Sequence, residues 1–185
     1  MLIVAITGMP GAGKSTAAKA LEKLGMKRVV MGDIIREETR RRGLEADEKN
    51  TGDVMRDLRK KHGEGAIAEL CLTSIRRSGS VDLLVVDGIR STSEVETFKK
   101  AGKVLLVAIH ASRDRRFALL RERGRSDDPI SYEMFLRRDE RELKVGIGRA
   151  IALADEVVSN EHITPAILST MVMKTGRRWI EASRK

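Results

Sequence analysis

Nine residues near the start of the chain have the pattern of a phosphate-binding loop. Glycine recurs at three positions and is followed by lysine and serine, in the order Gly8-Met9-Pro10-Gly11-Ala12-Gly13-Lys14-Ser15-Thr16. Glycines let the backbone approach a phosphate closely, and successive N–H groups at a helix start bind the anion. We expect the whole segment to hold ATP phosphates, with Lys14 on the β- and γ-phosphates and Ser15 on Mg²⁺. The alternative, an ordinary glycine-rich turn, is disfavoured by the Lys-Ser pair.

A second candidate is the acid that ends the apolar run Leu83-Leu84-Val85-Val86-Asp87, just before Gly88-Ile89-Arg90. A carboxylate beside a phosphate loop can hold the water shell of Mg²⁺ or orient the attacking hydroxyl. We therefore expect Asp87 to be catalytic and, with Ser15, to bind the metal. The alternative is an acid that caps the following turn.

Arginines are concentrated where loops are predicted to begin or end. They are Arg36, Arg90, Arg121, Arg125, Arg137 and Arg138. Phosphoryl transfer depends mainly on positioned cations, and arginine stays charged. We expect the last four to stabilise charge during catalysis, and the glycine-containing segment at about 121–130 to close as a lid. The alternative is a set of solvated helix faces with i,i+4 ion pairs.

Short apolar runs alternate with helical patterns along the chain. The predicted strands are Leu2–Thr7, Arg28–Met31, Asp82–Asp87, Lys103–His110 and Asp155–Ser159. The predicted helices are Lys14–Leu24, Asp33–Arg42, Gly52–Lys61, Gly65–Arg77, Ser93–Ala101, Arg113–Glu122, Ser131–Lys144 and Thr164–Ala182. This alternation predicts a three-layer α/β fold whose parallel sheet is covered on both faces. Ligands of such sheets bind at the carboxyl ends of the strands.

Length and composition narrow the class of protein further. At 185 residues the chain is long enough for one domain, 1–185. No apolar run approaches the roughly 20 residues of a membrane span. The first residues lack a charged leader, and we expect a cytoplasmic protein. One cysteine, Cys71, excludes an intrachain disulfide.

The net charge of +9 fits either a nucleic-acid surface or a cleft for small phosphorylated substrates. The chain also contains no glutamine and only two asparagines, Asn50 and Asn160. Few thermolabile amides beside many charged residues are typical of hyperthermophile proteins.

Taken in order, these segments resemble the P-loop nucleoside monophosphate kinases, of which adenylate kinase is the best-known member. The loop at 8–16 matches their phosphate loop, and Gly32-Asp33-Ile34-Ile35-Arg36 is similar to the segment that opens their acceptor helix. Asp87-Gly88-Ile89-Arg90 resembles their Asp-Gly-Phe-Pro-Arg, one residue shorter. Gly124-Arg125-Ser126-Asp127-Asp128 resembles a short lid, and Arg137-Arg138 lie where these kinases carry arginines. The segment from Asp87 to Phe98 also resembles an archaeal family of P-loop kinases related to dephospho-CoA kinase.

The resemblance implies a five-stranded parallel sheet in the order 2-3-1-4-5, with ATP and Mg²⁺ as cofactors. It also implies an acceptor-binding helical part at about 32–80, and acceptor contacts by Asp33, Arg36, Arg90 and Glu94. Adenylate kinases carry glutamine at the place of Glu94, where it reads the acceptor adenine. Because an ionised glutamate only accepts hydrogen bonds, we expect this site to disfavour adenine. The alternative is that Glu94 is an early helical acid stabilised by the helix dipole.

Three functions remain open from the sequence. The first is transfer of the ATP γ-phosphate to a small phosphorylated, nucleotide-like acceptor. The second is transfer to a ribose hydroxyl, as in dephospho-CoA kinase, although only Asp33 stands where those enzymes carry an acidic pair. The third is an ATP-dependent switch or RNA-associated ATPase, which the basic composition and the run Arg40-Arg41-Arg42 would suit. The sequence favours small-molecule transfer over nucleic-acid binding and leaves the oligomeric state open.

Overall fold

The computed structural model describes residues 1–77, 79–124 and 129–184. Its strands are β1 (Leu2–Thr7), β2 (Lys27–Val30), β3 (Leu83–Ile89), β4 (Lys103–His110) and β5 (Glu156–Ser159). Its helices are α1 (Lys14–Glu22), α2 (Met31–Arg41), α3 (Glu48–His62), α4 (Ala66–Arg77), α5 (Thr92–Lys99), α6 (Arg113–Arg123), α7 (Tyr132–Val145), α8 (Ile147–Ala152) and α9 (Pro165–Ser183).

The five strands form one parallel sheet in the order β2-β3-β1-β4-β5. The central strand β1 lies between β3 and β4, so that Ile3 pairs with Leu84 on one side and Val104 on the other. The predicted fold class and strand order are therefore confirmed. The order brings the carboxyl end of β1 beside the carboxyl ends of β3 and β4, where ligands bind in such sheets.

Alternate residues of each central strand pack into different cores. Ile3, Leu84 and Leu106 pack on the face covered by α2, α3, α4, α5 and α8. Val4 and Val85 pack on the opposite face, which α1 and α9 cover. Since both faces are buried, both alternating positions must be apolar, which explains the continuous apolar runs in the sequence.

Several element boundaries differ from the predicted ones. The strand β2 ends at Val30, and α2 begins at once at Met31, a residue expected to be in the strand. The helix α3 starts at Glu48, earlier than predicted, because the side chain of Asp47 caps it by accepting from the Asn50 N–H. The six-residue α8 was not predicted. A helix this short has too few turns to show a clear apolar period.

The strand β3 continues beyond Asp87, where the sequence suggested that it ends. Gly88 has a φ of +105°, and the β1–β3 register shifts between Ile6 and Thr7. The bulge re-aims the end of the strand, and pairing resumes between Thr7 and Ile89. Asp87 thus lies within the paired strand β3, one residue before the bulge at Gly88.

Within the described ranges, the structure contains no helix that is both long enough and apolar enough to cross a membrane. Cys71 is buried in α4, and its burial raises the pKa of the thiol to about 12. The thiol is therefore unreactive at neutral pH.

The bulge between β1 and β3 depends on one buried side-chain hydrogen bond. Thr7 Oγ1 donates to the Ile89 carbonyl oxygen at 2.9 Å, and Thr7 is fully buried. We expect Thr7→Val to lower the free energy of unfolding by about 1–2 kcal/mol, since the carbonyl loses its donor away from water. Urea denaturation measures this change.

The matched control is Thr73→Val, because Thr73 Oγ1 donates to the Glu69 carbonyl on an exposed face of α4, where water can replace it. An equal loss in both variants would show that the buried bond contributes nothing specific.

Candidate active site

The phosphate loop connects β1 to α1 at the carboxyl edge of the sheet. Its glycines have positive φ angles of 143° at Gly8 and 82° at Gly11. A Cβ at Gly8 would lie 2.3 Å from the Ile109 carbonyl oxygen, and a Cβ at Gly11 would lie 2.5 Å from the Arg116 carbonyl oxygen. Only glycine allows the loop to pass this close to its neighbours.

Two buried side chains from other elements hold the loop in place. Asn160, which directly follows β5, donates from Nδ2 to the Ala12 carbonyl oxygen at 3.0 Å. Arg116 of α6 donates from Nη1 to the Pro10 carbonyl oxygen, also at 3.0 Å. Neither Asn160 nor Arg116 was predicted to contact the loop.

Arg116 also forms a buried ion pair with Asp139 of α7. The two guanidinium nitrogens donate to the two carboxylate oxygens at 2.8 and 2.6 Å. The guanidinium carbon lies 4.9 Å from the centre of the Phe135 ring. Because this pair is bidentate and also donates to Pro10, it joins α6, α7 and the phosphate loop.

Lys14 lies at the first position of α1. Its ammonium group donates to the carbonyl oxygens of Gly8 at 2.7 Å and Met9 at 3.0 Å. Burial lowers the pKa of Lys14 from 10.5 to about 8, while the nearby carboxylates of Asp87 and Glu142 raise it. The ammonium group is therefore positioned over the loop before any phosphate binds.

Asp87 is 3% exposed and lies opposite Ile6 of β1, two residues before the loop begins at Gly8. Its Oδ2 atom is buried and accepts no hydrogen bond from any described residue. A buried carboxylate oxygen without a donor is costly unless a cation or a donor from a ligand meets it. The residue therefore fits the predicted role beside Mg²⁺, together with Ser15 in the first turn of α1.

A second carboxylate near Lys14 comes from α7 and was not predicted to be in the site. Glu142 Oε2 lies 3.3 Å from Arg90 Nε, and this oxygen is buried without a hydrogen bond of good geometry. Arg90 and Arg138 also act on Lys14 and lower its pKa. Two carboxylates and two guanidinium groups are thus close enough to Lys14 to shift its pKa.

The other predicted arginines do not all converge here. Arg137 pairs with Glu133 at 2.6 Å on the outer face of α7, with 73% of its side chain exposed. Arg121 is exposed in the last turn of α6, with its guanidinium carbon 6.0 Å from the centre of the Phe117 ring. Residues 121–123 of the predicted lid are helical. Arg125 lies outside the described residues.

Asp33 and Arg36 pair with each other in the first turns of α2. Their side chains are 63% and 42% exposed, so the pair lies largely at the surface.

Glu94 is fully buried and occupies the third position of α5, where it completes a capping box with Ser91. Its Oε2 accepts from the backbone N–H groups of Arg90 at 2.7 Å and Ser91 at 3.2 Å. Its Oε1 accepts from Arg59 Nη2 at 3.0 Å. Both oxygens are thus used within the protein, which favours the helix-start alternative over the expectation that they read an acceptor base.

A cleft of about 290 Å³ opens beside the loop, at the end of β4. Its lining residues are Met9, Ala12, Ile109, His110, Ala111, Ser112, Arg113, Arg116 and Ile151. The cleft shares Met9 and Ala12 with the phosphate loop and belongs to the same site.

The fold and the loop together define a P-loop kinase fold, and solved structures agree. The chain is similar to shikimate kinase from Bacteroides thetaiotaomicron with a TM-score of 0.61 and 16% identity, covering 95% of this chain and 98% of that one. It is similar to TT1252 from Thermus thermophilus with a TM-score of 0.64 and 16% identity, covering 98% and 97% of the two chains. Identities this low show the fold alone.

Sequence relatives show the family. A family model described as an AAA domain matches residues 7–133. A UPF0200 protein of Methanocaldococcus jannaschii is 48% identical over 162 residues, which are 87% of this chain and 82% of that protein. A UPF0200 protein of Methanosarcina mazei is 46% identical over 162 residues, which are 86% of each chain. The chain belongs to the UPF0200 family of archaeal P-loop proteins, and the predicted resemblance is confirmed.

The buried Glu94 leads to a prediction about stability. We expect Glu94→Gln to lower the free energy of unfolding by roughly 2 kcal/mol or more, because Arg59 loses its charged partner in the interior. Preference among nucleotide acceptors should stay unchanged. Glu96→Gln is the control, since Glu96 lies on the same helix with 63% of its side chain exposed. A shift of preference toward AMP at unchanged stability would restore the base-reading role.

The environment of Lys14 leads to a prediction about its titration. In NMR of protein labelled in its lysines, we expect the Lys14 ammonium to titrate near pH 8 instead of 10.5. Asp87→Asn should lower this pKa further, since the Asp87 charge raises it. Asp82→Asn, at an exposed position before β3, should leave it unchanged. A midpoint at the ordinary lysine value would contradict the burial described here.

Proposed function

We propose that this chain is a small-molecule kinase that moves the γ-phosphate of ATP to a nucleotide-like phosphorylated acceptor. One observation carries the proposal: the Lys14 ammonium is already seated over a glycine loop, next to a buried carboxylate oxygen of Asp87 that has no donor. Catalysis of phosphoryl transfer needs this combination of a fixed cation and a metal-binding acid.

The loop residues 8–16 would hold the ATP phosphates. Ser15 and Asp87 would hold Mg²⁺, which neutralises phosphate charge when bound. Lys14 would leave the carbonyl oxygens of Gly8 and Met9 for the β- and γ-phosphates. The protein supplies a preformed anion site at the start of α1.

The acceptor would approach from the side of Arg90 and Arg138, the two arginines whose positive charge lowers the pKa of Lys14. We assign the helical part at about 32–80, with Asp33 and Arg36, to the remainder of the acceptor. In the transfer, an acceptor oxygen forms a bond to the γ-phosphorus as the bond to the bridging oxygen breaks, and ADP leaves. We place all of this in one cytoplasmic kinase domain, 1–185.

A second candidate is transfer to a hydroxyl group. The Asp87 oxygen without a donor favours it, because a hydroxyl must lose its proton during attack and this carboxylate could accept it. A phosphate acceptor needs no such base. Transfer to a hydroxyl group therefore requires Asp87 as a base, whereas transfer to a phosphate does not.

The RNA-associated alternative receives less support. In the run Arg40-Arg41-Arg42, the last two arginines pair with Glu38 at 2.7 and 2.8 Å, and Arg42 also pairs with Asp57 of α3. Glu38 offsets part of this charge at the end of α2, and the Arg42–Asp57 pair joins that end to α3. Any RNA affinity can be tested by its salt dependence, which is steep when many phosphates are contacted.

The decisive experiment measures ADP release with ATP against a panel of acceptors. The panel contains nucleoside monophosphates, nucleosides, dephospho-CoA and shikimate, with the Lys14→Ala variant as the inactive control. Turnover with a nucleoside monophosphate supports the first candidate, and turnover with dephospho-CoA or shikimate alone supports the second. ADP release that no acceptor accelerates would refute both.

The role of Asp87 gives a prediction about rate. We expect Asp87→Asn to reduce Mg²⁺-dependent turnover on the order of 10²-fold or more while ATP affinity changes little, because the acid acts mainly in the transition state. Steady-state kinetics and calorimetric ATP binding separate the two effects. Asp82→Asn serves as the control. Near wild-type turnover in Asp87→Asn would show that Asp87 has only a structural role in β3.

A further inference from the structure

Arg90 is held by contacts from three different helices. Its backbone N–H donates to Glu94 Oε2 of α5 at 2.7 Å. Its Nη1 donates to the sulfur of Met55 in α3 at 3.3 Å. Its Nε lies 3.3 Å from Glu142 Oε2 of α7. The two side-chain contacts restrict the rotamers of the guanidinium before a ligand arrives.

The Glu142 contact is unlike a surface ion pair. The Glu142 side chain is only 12% exposed, whereas Arg137 and Glu133 on the same helix are 73% and 74% exposed. Glu142 lies on the face of α7 that also carries Phe135 and Asp139, at intervals of four and three residues. That face turns toward the protein interior.

The position of Glu142 is also tied to the phosphate loop. Asp139, three residues earlier on α7, pairs with Arg116, which in turn donates to the Pro10 carbonyl oxygen. The α7 backbone is therefore held in position relative to the loop. The contact with Glu142 in turn positions Arg90 relative to the loop. The loop and the predicted acceptor arginine are linked through one helix.

We propose that Glu142 is a positioning residue that sets Arg90 in place for the anionic group of the acceptor. This inference rests on the proposed function, since it assigns a role within the same transfer site. The Glu142 carboxylate, 3.3 Å from Arg90 Nε, attracts the guanidinium from the side of α7. Removing the Glu142 charge releases Arg90 and weakens acceptor binding more than ATP binding, and the two are compared well below pH 8 because the same charge also raises the pKa of Lys14.

The test compares Glu142→Gln, which keeps the size and removes the charge, with Glu142→Asp, which keeps the charge. The control is Glu140→Gln, at an exposed position of the same helix. Each variant is measured for KM of the best acceptor in the panel, KM of ATP, thermal unfolding, and water exchange of the Arg90 Nε–H by NMR, assigned with Arg90→Lys.

We expect Glu142→Gln to raise the acceptor KM on the order of ten-fold, since small misplacements of a positioning group have effects of this size or larger. The ATP KM should change far less, the Arg90 Nε–H should exchange faster with water, and Glu142→Asp should recover part of both effects. Lower thermal stability with unchanged acceptor KM and unchanged Arg90 exchange would overturn the proposal.

The failure of the proposed function is distinguishable from the failure of this inference. If no acceptor in the panel is turned over, the kinase proposal fails, but the exchange measurement still reports whether Glu142 holds Arg90. If transfer occurs and Arg90 exchanges equally fast in wild type and Glu142→Gln, only the positioning role is wrong.

Discussion

The close approach of the phosphate-loop backbone to three neighbouring elements is the constraint on which this structure depends. Gly8 lies against the end of β4, Gly11 against the backbone of α6, and Gly13 against the Asn160 side chain after β5. No side chain fits at any of the three points. At Gly8 and Gly11 the spacing of β4 and α6 from the loop is therefore set by backbone contact, whereas at Gly13 the neighbour is the Asn160 side chain.

Around this loop, opposite charges are buried next to one another. Lys14, Arg90 and Arg138 lie near Asp87 and Glu142, with a further ion pair between Arg116 and Asp139 behind the loop. Burying each charge alone would cost several kcal/mol, and pairing offsets most of that cost. What results is a set of oriented charges that needs little reorganisation when a charged ligand arrives.

The sequence predicted the sheet and the loop because both depend on short-range patterns. Apolar runs such as Leu83–Val86 identify a buried strand on their own, and the glycines with Lys14 and Ser15 identify the loop. The boundary after β2 was misplaced because Met31 is equally apolar in a strand and in a helix. The strand β3 was predicted too short because Gly88 resembles a turn residue although it forms a bulge.

The arginines show where sequence reasoning fails. In α6, arginines occupy most faces, so that the pattern does not reveal that Arg116 is buried and Arg121 is exposed. The direction of each side chain depends on how α6 packs against the loop and α7, which is long-range information. Glu94 is ambiguous for a related reason: its place in the family pattern suggests ligand contact, while its place at the start of α5 suits an acid stabilised by the helix dipole.

The contact between Gly11 and α6 has a mechanical consequence. With a glycine against the helix backbone and Arg116 bonded to Pro10, α6 cannot tilt without deforming the loop, so the two form one rigid unit. Arg121, in the last turn of α6, belongs to that unit, and its distance from the phosphate loop is set by the length of a helix. The unit ends at Gly124, whose left-handed conformation closes α6.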